Sequence, residues 1–290
     1  MSTTGQIGMP VLADEYVGPL EQAFLATVDI QRSYNRYFET GLYSTRYPAP
    51  NPHVLKLVLG ELGPKGGRVL DFGCGSGRYA LPLVQQPGVS VFAYDISPTA
   101  IQQLRQRYAA LTPGAARLPR LETLCGSLDD LGRRLEGDGG FDLVVLLFGV
   151  LGHVEHRARR VATLRALRAR LRPGGRLIAT VPNRARRFLA EQKAMRVLGQ
   201  QAEPGDVRYR RGGSQDPIEL YYHLYTPAEF CAELGEAGYV VSSLRPESVL
   251  TERMVLSSRV GNTADRLLRQ VTPLALAYGL VAIAEPDDSA

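Results

Sequence analysis

Between Val69 and Ala80 a short strand-like stretch, Val69 to Phe72, apolar but for Asp71, gives way to glycines at alternate positions, Gly73, Gly75 and Gly77, and then to a helical start. Glycines so spaced turn the chain sharply and let bare backbone approach a ligand, because they accept positive φ and carry no side chain. A dinucleotide site asks for a further glycine three residues after the second, where the helix packs closely and its N-terminus faces a pyrophosphate. Arg78 stands there instead. Asp71 comes just before the turn, and a carboxylate there repels a pyrophosphate but attracts an ammonium. The turn therefore points to S-adenosylmethionine, which carries an amino-acid moiety, rather than to NAD.

From Arg68 onward strand-like and helix-like stretches alternate, which predicts an α/β fold: a doubly wound, mostly parallel sheet. Strands are expected at 68–72, 89–94, 121–125, 141–147, 176–181, 239–244 and 278–284. Helices are expected at about 78–86, 98–110, 155–171, 227–237 and 262–275. In the helix from Glu155, Val161, Leu164, Leu167 and Leu171 line one face, so the arginines between them are expected to face water. Residues 1–15 read as a loose tail. In 16–62, Leu20, Phe24, Val28, Tyr34, Phe38 and Leu42 recur near helical spacing, and Tyr34, Tyr37, Phe38, Tyr43 and Tyr47 crowd together; this is either an amphipathic helix packed on the sheet or a lid over a ligand. The α/β domain spans 63–285, with an unpatterned insertion at 184–216 and a tail at 286–290.

Ligands of an open parallel sheet sit beyond the carboxyl ends of its strands. Asp95 ends the second strand and can accept both hydroxyls of a ribose, or cap the next helix. Ser127 follows the third strand and either takes an adenine amino group or makes a plain turn. Phe148, Gly149 and His153 follow the fourth strand, where cofactor and substrate meet. His153 is a candidate proton acceptor, since an unperturbed imidazole titrates near neutrality; capping or simple exposure is the alternative. Tyr221, Tyr222 and His223 precede a Thr226-Pro227 helix start, and His223 is the second catalytic candidate, with packing as the alternative.

The net charge is +5, and distribution matters more than the total. Between Arg157 and Arg211 stand fifteen arginines and Lys193 against Glu191, Glu203 and Asp206. Arg184, Arg186, Arg187, Arg208, Arg210 and Arg211 flank the insertion. Such a surface either holds nucleic-acid phosphates or is a solvated face. Cys74, Cys125 and Cys231 are far apart without a Cys-x-x-Cys, so no disulfide framework, zinc site or other metal is expected. The expected compartment is the reducing cytoplasm: no secretory leader is recognisable, and the apolar stretch 271–284 is broken by Pro273 and too short to span a bilayer. No obligate protein partner is evident.

With 69–80, Tyr94 to Ser97, 141–147 and Leu171 to Gly175 in place, residues 65–245 resemble the class I S-adenosylmethionine-dependent methyltransferases. The resemblance implies seven strands with the last antiparallel, Gly73, Gly75 and Gly77 against the cofactor's amino-acid part and Asp95 on its ribose. Asp71, Cys74, Ile96, Leu128, Phe148 and Gly149 are the further cofactor contacts expected. Ser127 departs from the family, where an aspartate is common. A narrower similarity joins Ser44 to Tyr47, Gly152 and His153, Arg159 to Val161 and Tyr221 to Leu224 to the tRNA wobble-uridine carboxymethyl methyltransferases, although that family has a histidine pair where His153 stands alone. It implies Arg46 at the cofactor's carboxylate and tRNA on the arginine-rich segment. The expected activity is methyl transfer to a small-molecule acceptor, with tRNA methylation, a cofactor binder without turnover and an oxidoreductase as successive alternatives.

Overall fold

The computed structural model describes residues 29–111, 120–213 and 216–287; the expected N-terminal tail, the helical positions Leu20, Phe24 and Val28, and residues 288–290 lie outside them. Nine strands are described: β1 (Gly67–Phe72), β2 (Val89–Asp95), β3 (Leu121–Cys125), β4 (Phe141–Leu146), β5 (Leu171–Pro182), β6 (Asp206–Arg211), β7 (Ile218–His223), β8 (Tyr239–Ser248) and β9 (Gly279–Pro286). The helices among them are α1 (Ile30–Glu39), α2 (Leu42–Arg46), α3 (Pro52–Leu62), α4 (Ala80–Val84), α5 (Pro98–Leu111), α6 (Leu128–Arg134), α7 (Arg157–Arg168), α8 (Leu189–Val197), α9 (Pro227–Glu236), α10 (Glu252–Ser257) and α11 (Arg259–Val271).

Seven strands form one sheet in the order β3-β2-β1-β4-β5-β9-β8. β1 to β5 pair in parallel, and β9 runs antiparallel to both β5 and β8. The chain therefore reverses its direction of travel across the sheet between β1 and β4, which opens a crevice at their carboxyl ends. Burial is continuous through Val69 to Phe72 and Leu143 to Leu146, as expected of strands covered on both faces. Because successive side chains point to opposite faces, Leu70, Phe92 and Val144 pack with Leu164 of α7 and Phe230 of α9, whereas Val69, Val91 and Val145 pack with Val58 of α3 and Leu104 of α5.

Several expectations need correction. The insertion has structure: α8, followed by β6 paired antiparallel with β7. Its strand period is present in Val207 and Tyr209, but the arginines between them obscure it; these residues bury with Ile218, Leu220, Tyr222 and Tyr37 of α1 in a third apolar cluster. Of the arginines between Val161 and Leu171, Arg165 faces water as expected and Arg168 and Arg170 are half-buried, whereas Arg160, just ahead of them, is 1% exposed. Its position four residues before Leu164 and seven before Leu167 put it on the apolar face all along. The stretch Leu171 to Gly175 lies within the bounds of β5, at an irregularity in its pairing with β4. The helix expected from Arg78 begins only at Ala80, the 262–275 helix is α11 and ends at Val271, and the C-terminal tail is shorter because Pro286 still belongs to β9. The aromatic N-terminal stretch is broken at Gly41, where φ is +72°, and packs over the carboxyl rim of the seven-stranded sheet and against the β6–β7 pair. Gln31 donates to the Ile96 carbonyl at 2.7 Å, Ser97 Oγ–H donates to Asn35 Oδ1 at 2.6 Å, and Gln103 donates to the Phe38 carbonyl at 3.1 Å.

Candidate active site

The glycine turn at the end of β1 has positive φ at Gly73, Gly75 and Gly77. A Cβ at Gly73 would lie 2.5 Å from the Val150 side chain, and one at Gly77 would lie 2.4 Å from Leu104; real side chains do not fit at either. The backbone N–H groups of Gly73 and Cys74 donate to the Tyr94 carbonyl, and that of Gly75 donates to Asp95 Oδ2 at 2.8 Å. Asp95 thus braces the turn from the end of β2. Its other oxygen accepts from the Ser97 N–H at 2.8 Å, while Ser97 Oγ accepts from the Ala100 N–H at the start of α5. The cap falls to Ser97, so capping does not account for Asp95.

Two buried carboxylates meet at this turn. Burial, with the neighbouring Asp95, pushes Asp71 up to about 7, and burial pushes Asp95 itself up to about 6. Asp71 Oδ2 is sealed from solvent with no hydrogen-bond donor. An unpartnered buried carboxylate oxygen is costly, and a cationic ligand against the turn would relieve it. The residues present therefore fit the ammonium and sulfonium charges of S-adenosylmethionine and do not fit a pyrophosphate.

Other expected contacts fare unequally. Ser127 is the N-cap of α6: its hydroxyl donates to Asp130 Oδ2 at 2.7 Å, and its own N–H donates to the same oxygen at 2.8 Å. That capping box occupies the groups expected to read adenine. Leu128 and Ile96 pack partly buried against the core beside it. Arg46 is exposed, and its Nε donates to the Tyr47 hydroxyl at 3.0 Å. Cys74 is buried, and burial holds its thiol well above its usual range.

Beyond β4 lies a second, aromatic cleft. Phe148, at φ +64°, packs 4.5 Å from the Tyr47 ring, and the central carbon of the Arg78 guanidinium lies 4.2 Å from the Phe148 ring centre. Arg78 Nε donates to the Ala49 carbonyl at 2.6 Å, and the guanidinium pairs with Glu252 of α10. Gly149 must be glycine, since a Cβ there would lie 1.8 Å from the Tyr222 hydroxyl at positive φ. His153 stacks on Tyr222 with ring centroids 4.2 Å apart. Its Nδ1 lies 2.9 Å from the Tyr221 carbonyl, and its Nε2 lies 2.7 Å from the Tyr34 hydroxyl. A carbonyl only accepts, so Nδ1 carries the proton and Nε2 offers its lone pair to the tyrosine. Burial pushes His153 down to about 4, so it is neutral at physiological pH. Phe188, Tyr209, Arg187 and Arg211 complete the wall, which encloses about 20 Å3 of open space, room for about one water.

His223 is not in this cleft. Strand alternation sends Tyr222 and His223 to opposite faces of β7, and His223 joins a buried charged cluster in which Asp206 Oδ1 lies 2.7 Å from its Nδ1 and Arg160 lies 3.3 Å from its Nε2. Arg160 also binds Glu233 of α9 and Glu203. The expectation of a catalytic His223 is thereby corrected. Sequence reading also missed Glu247, which burial pushes up to about 8 beside Thr180, Arg187 and Arg78; no local motif marks it.

Residues 70–177 match the family described as a methyltransferase domain. A ubiquinone biosynthesis O-methyltransferase of Xanthomonas axonopodis pv. citri is 31% identical over 70% of this chain and 75% of its own length. The chain belongs to the class I S-adenosylmethionine-dependent methyltransferases. Solved methyltransferases share the fold: CcbJ from Streptomyces caelestis superposes with a TM-score of 0.58 at 16% identity, covering 84% of this chain and 96% of that one. Magnesium protoporphyrin IX methyltransferase from Synechocystis PCC 6803, with bound S-adenosylhomocysteine, gives 0.51 at 17% identity over 91% and 87%. As a methyltransferase of this class the protein is an enzyme whose cofactor is S-adenosylmethionine. No helix among the described residues is long and apolar enough to cross a membrane.

Proposed function

We propose that this methyltransferase acts on a small aromatic acceptor, transferring the methyl group to a hydroxyl oxygen in the cleft between Tyr47, Phe148 and Tyr222. The observation that carries the reading is the cleft itself: rings from α1, α2, the loop after β4 and the β6–β7 hairpin converge beyond the carboxyl end of β4, next to the glycine turn. Flat rings recognise flat rings through stacked and edge contacts. The O-methyltransferase name of the Xanthomonas relative supports oxygen as the accepting atom. The arginine-rich segment supports a small acceptor over RNA, because many of its charges are taken up internally: Arg157 by Glu236, Arg160 by Glu233, Arg172 by Asp142, Arg176 by Glu61 and Arg184 by Glu229.

In this reading Gly73, Cys74, Gly75 and Gly77 hold the amino-acid end of the cofactor, Asp71 faces its ammonium, Asp95 and Ile96 hold the ribose, and Leu128 borders the adenine. Bound S-adenosylmethionine supplies a methyl group already activated on a sulfonium. The main work left to the protein is alignment, which can lower such a barrier by roughly 7–11 kcal/mol. Phe148 and Gly149 hold the acceptor side of that alignment. His153 Nε2 is the atom that can take the acceptor's proton once the Tyr34 hydroxyl yields it, and its depressed basicity makes proton removal secondary to positioning.

Calorimetric titration with S-adenosylhomocysteine, followed by turnover of a panel of phenols with labelled methyl donor, tests this. Asp95→Ala is expected to weaken cofactor binding by about 1–3 kcal/mol, because ribose hydroxyls lose their acceptor. Label appearing in the RNA fraction of a cell extract and in no phenol would overturn the choice of acceptor.

A further inference from the structure

Arg187 differs from every other arginine around it. Arg184 donates to the Pro204 carbonyl at 2.7 Å and pairs with Glu229 at 3.0 Å, Arg186 donates to the Leu276 carbonyl at 2.6 Å, and Arg210 pairs with Glu219 at 2.5 Å. The Arg187 guanidinium has no hydrogen-bond acceptor and no ion pair among the described residues, and its Nε is sealed from solvent. What holds it is aromatic: its central carbon lies 4.8 Å from the Tyr278 ring centre, 5.4 Å from Phe188 and 5.5 Å from Tyr222. Ring contacts hold the cation but supply no hydrogen-bond acceptor, so the sealed Nε–H is left unserved. Glu247, whose field reaches it, is a poor counterion, since burial keeps that carboxyl largely protonated at neutral pH. A donor sealed from solvent without an acceptor is unfavourable, and this half-buried cation lines the acceptor cleft.

We propose that Arg187 is the anchor for a carboxylate on the acceptor, which makes the substrate class hydroxylated aromatic acids. The inference rests on the acceptor entering the cleft between Phe148 and Tyr222. A guanidinium can present two parallel donors to one ligand, the arrangement that a planar carboxylate matches and a tetrahedral phosphate matches less well. Lysine would serve poorly there, because it neither stacks nor binds in two-pronged fashion. A bound carboxylate would also supply the acceptor that the sealed Nε–H lacks. Arg187 is thus a specificity-determining residue, set apart from the reacting oxygen.

The probes are 3,4-dihydroxybenzoate and its neutral counterpart 3,4-dihydroxybenzamide, titrated into the full chain in the presence of saturating S-adenosylhomocysteine. The wild type is expected to bind the acid at least about tenfold more tightly than the amide. Arg187→Gln should bring the acid down to the level of the amide while leaving amide and S-adenosylhomocysteine affinities in place, and Arg187→Lys should recover part of the difference. In turnover the loss should appear in KM with kcat retained. Equal affinity of the wild type for the two probes, binding of neither, or an Arg187→Gln change that weakens both alike would overturn the anchor; the last would make Arg187 a wall residue. Arg187-dependent binding of the acid without methylation of either probe would instead overturn hydroxyl methylation and leave the anchor standing. Equal methylation of both probes would do the reverse.

Discussion

Asp71 shows how one side chain can couple binding to pH. Its carboxyl rises from an ordinary 3.8 to about 7 in the folded protein, so across that interval the folded chain holds a proton that the unfolded chain has lost. Stability from this group is fully present below about pH 4 and is lost as pH rises through about 7. His153 works in the opposite sense: lowered from 6.5 to about 4, it contributes stability above about pH 6.5 that is lost as pH falls through about 4. The informative comparison is therefore between the wild type and Asp71→Asn, which keeps the neutral shape. Urea unfolding of the cofactor-free protein should show the wild type losing stability relative to the variant between pH 5 and pH 8. Superimposable pH curves would mean that Asp71 does not carry the buried charge. That Asp71 matters was legible from its place before the turn; that one of its oxygens lacks a partner depends on how β2 brings Asp95 alongside.

Among the elements, α7 and α9 are joined by an ion pair that helical spacing hints at and pairing decides. Arg160 and Glu233 are 1% and 2% exposed at the side chain and lie 2.7 Å apart. Removing one partner of a fully buried pair strands the other charge, so Arg160→Met is expected to cost about 3–5 kcal/mol in chemical unfolding, and adding Glu233→Met should recover much of it. A double change as damaging as the sum of the two single ones would show that the pair has no coupling. The same cluster holds His223, which explains why a histidine beside two tyrosines looked catalytic in sequence: alternation along β7 gives Tyr222 to the cleft and His223 to Arg160 and Asp206.

Over the whole molecule, the N-terminal segment 29–47 closes the carboxyl rim. Phe38 stands 3.1 Å from where a Cβ on Gly75 would be, with the Tyr43 hydroxyl beyond it at 3.8 Å, and the acceptor cleft has room for about one water. If acceptor and cofactor bind as proposed, their exchange requires α1 and α2 to move. The hydrogen bonds of Gln31 to Ile96 and of Ser97 to Asn35 fasten this cover to the sheet. Replacing Gln31 and Asn35 together by alanine should speed release of S-adenosylhomocysteine about tenfold in stopped-flow measurements, on the order of two modest hydrogen bonds, with little effect on global unfolding. Release at the wild-type rate would place the gate elsewhere.

What the amino-acid order determined by itself is everything that depends on local spacing. The strand-helix alternation, the parallel core strands, the glycine turn with Asp71 and Asp95, and the Thr226 cap can all be read from near neighbours, because backbone conformation and strand or helix period are short-range properties. The chemistry of the acceptor side was decided only in three dimensions. Tyr34, Phe148, His153, Arg187 and Tyr222 come from four separate stretches and have no fixed spacing, and Arg187 looks in sequence like one more residue of a basic run. Its lack of a partner is a property of where every carboxylate around it ended up, which only the packed chain specifies.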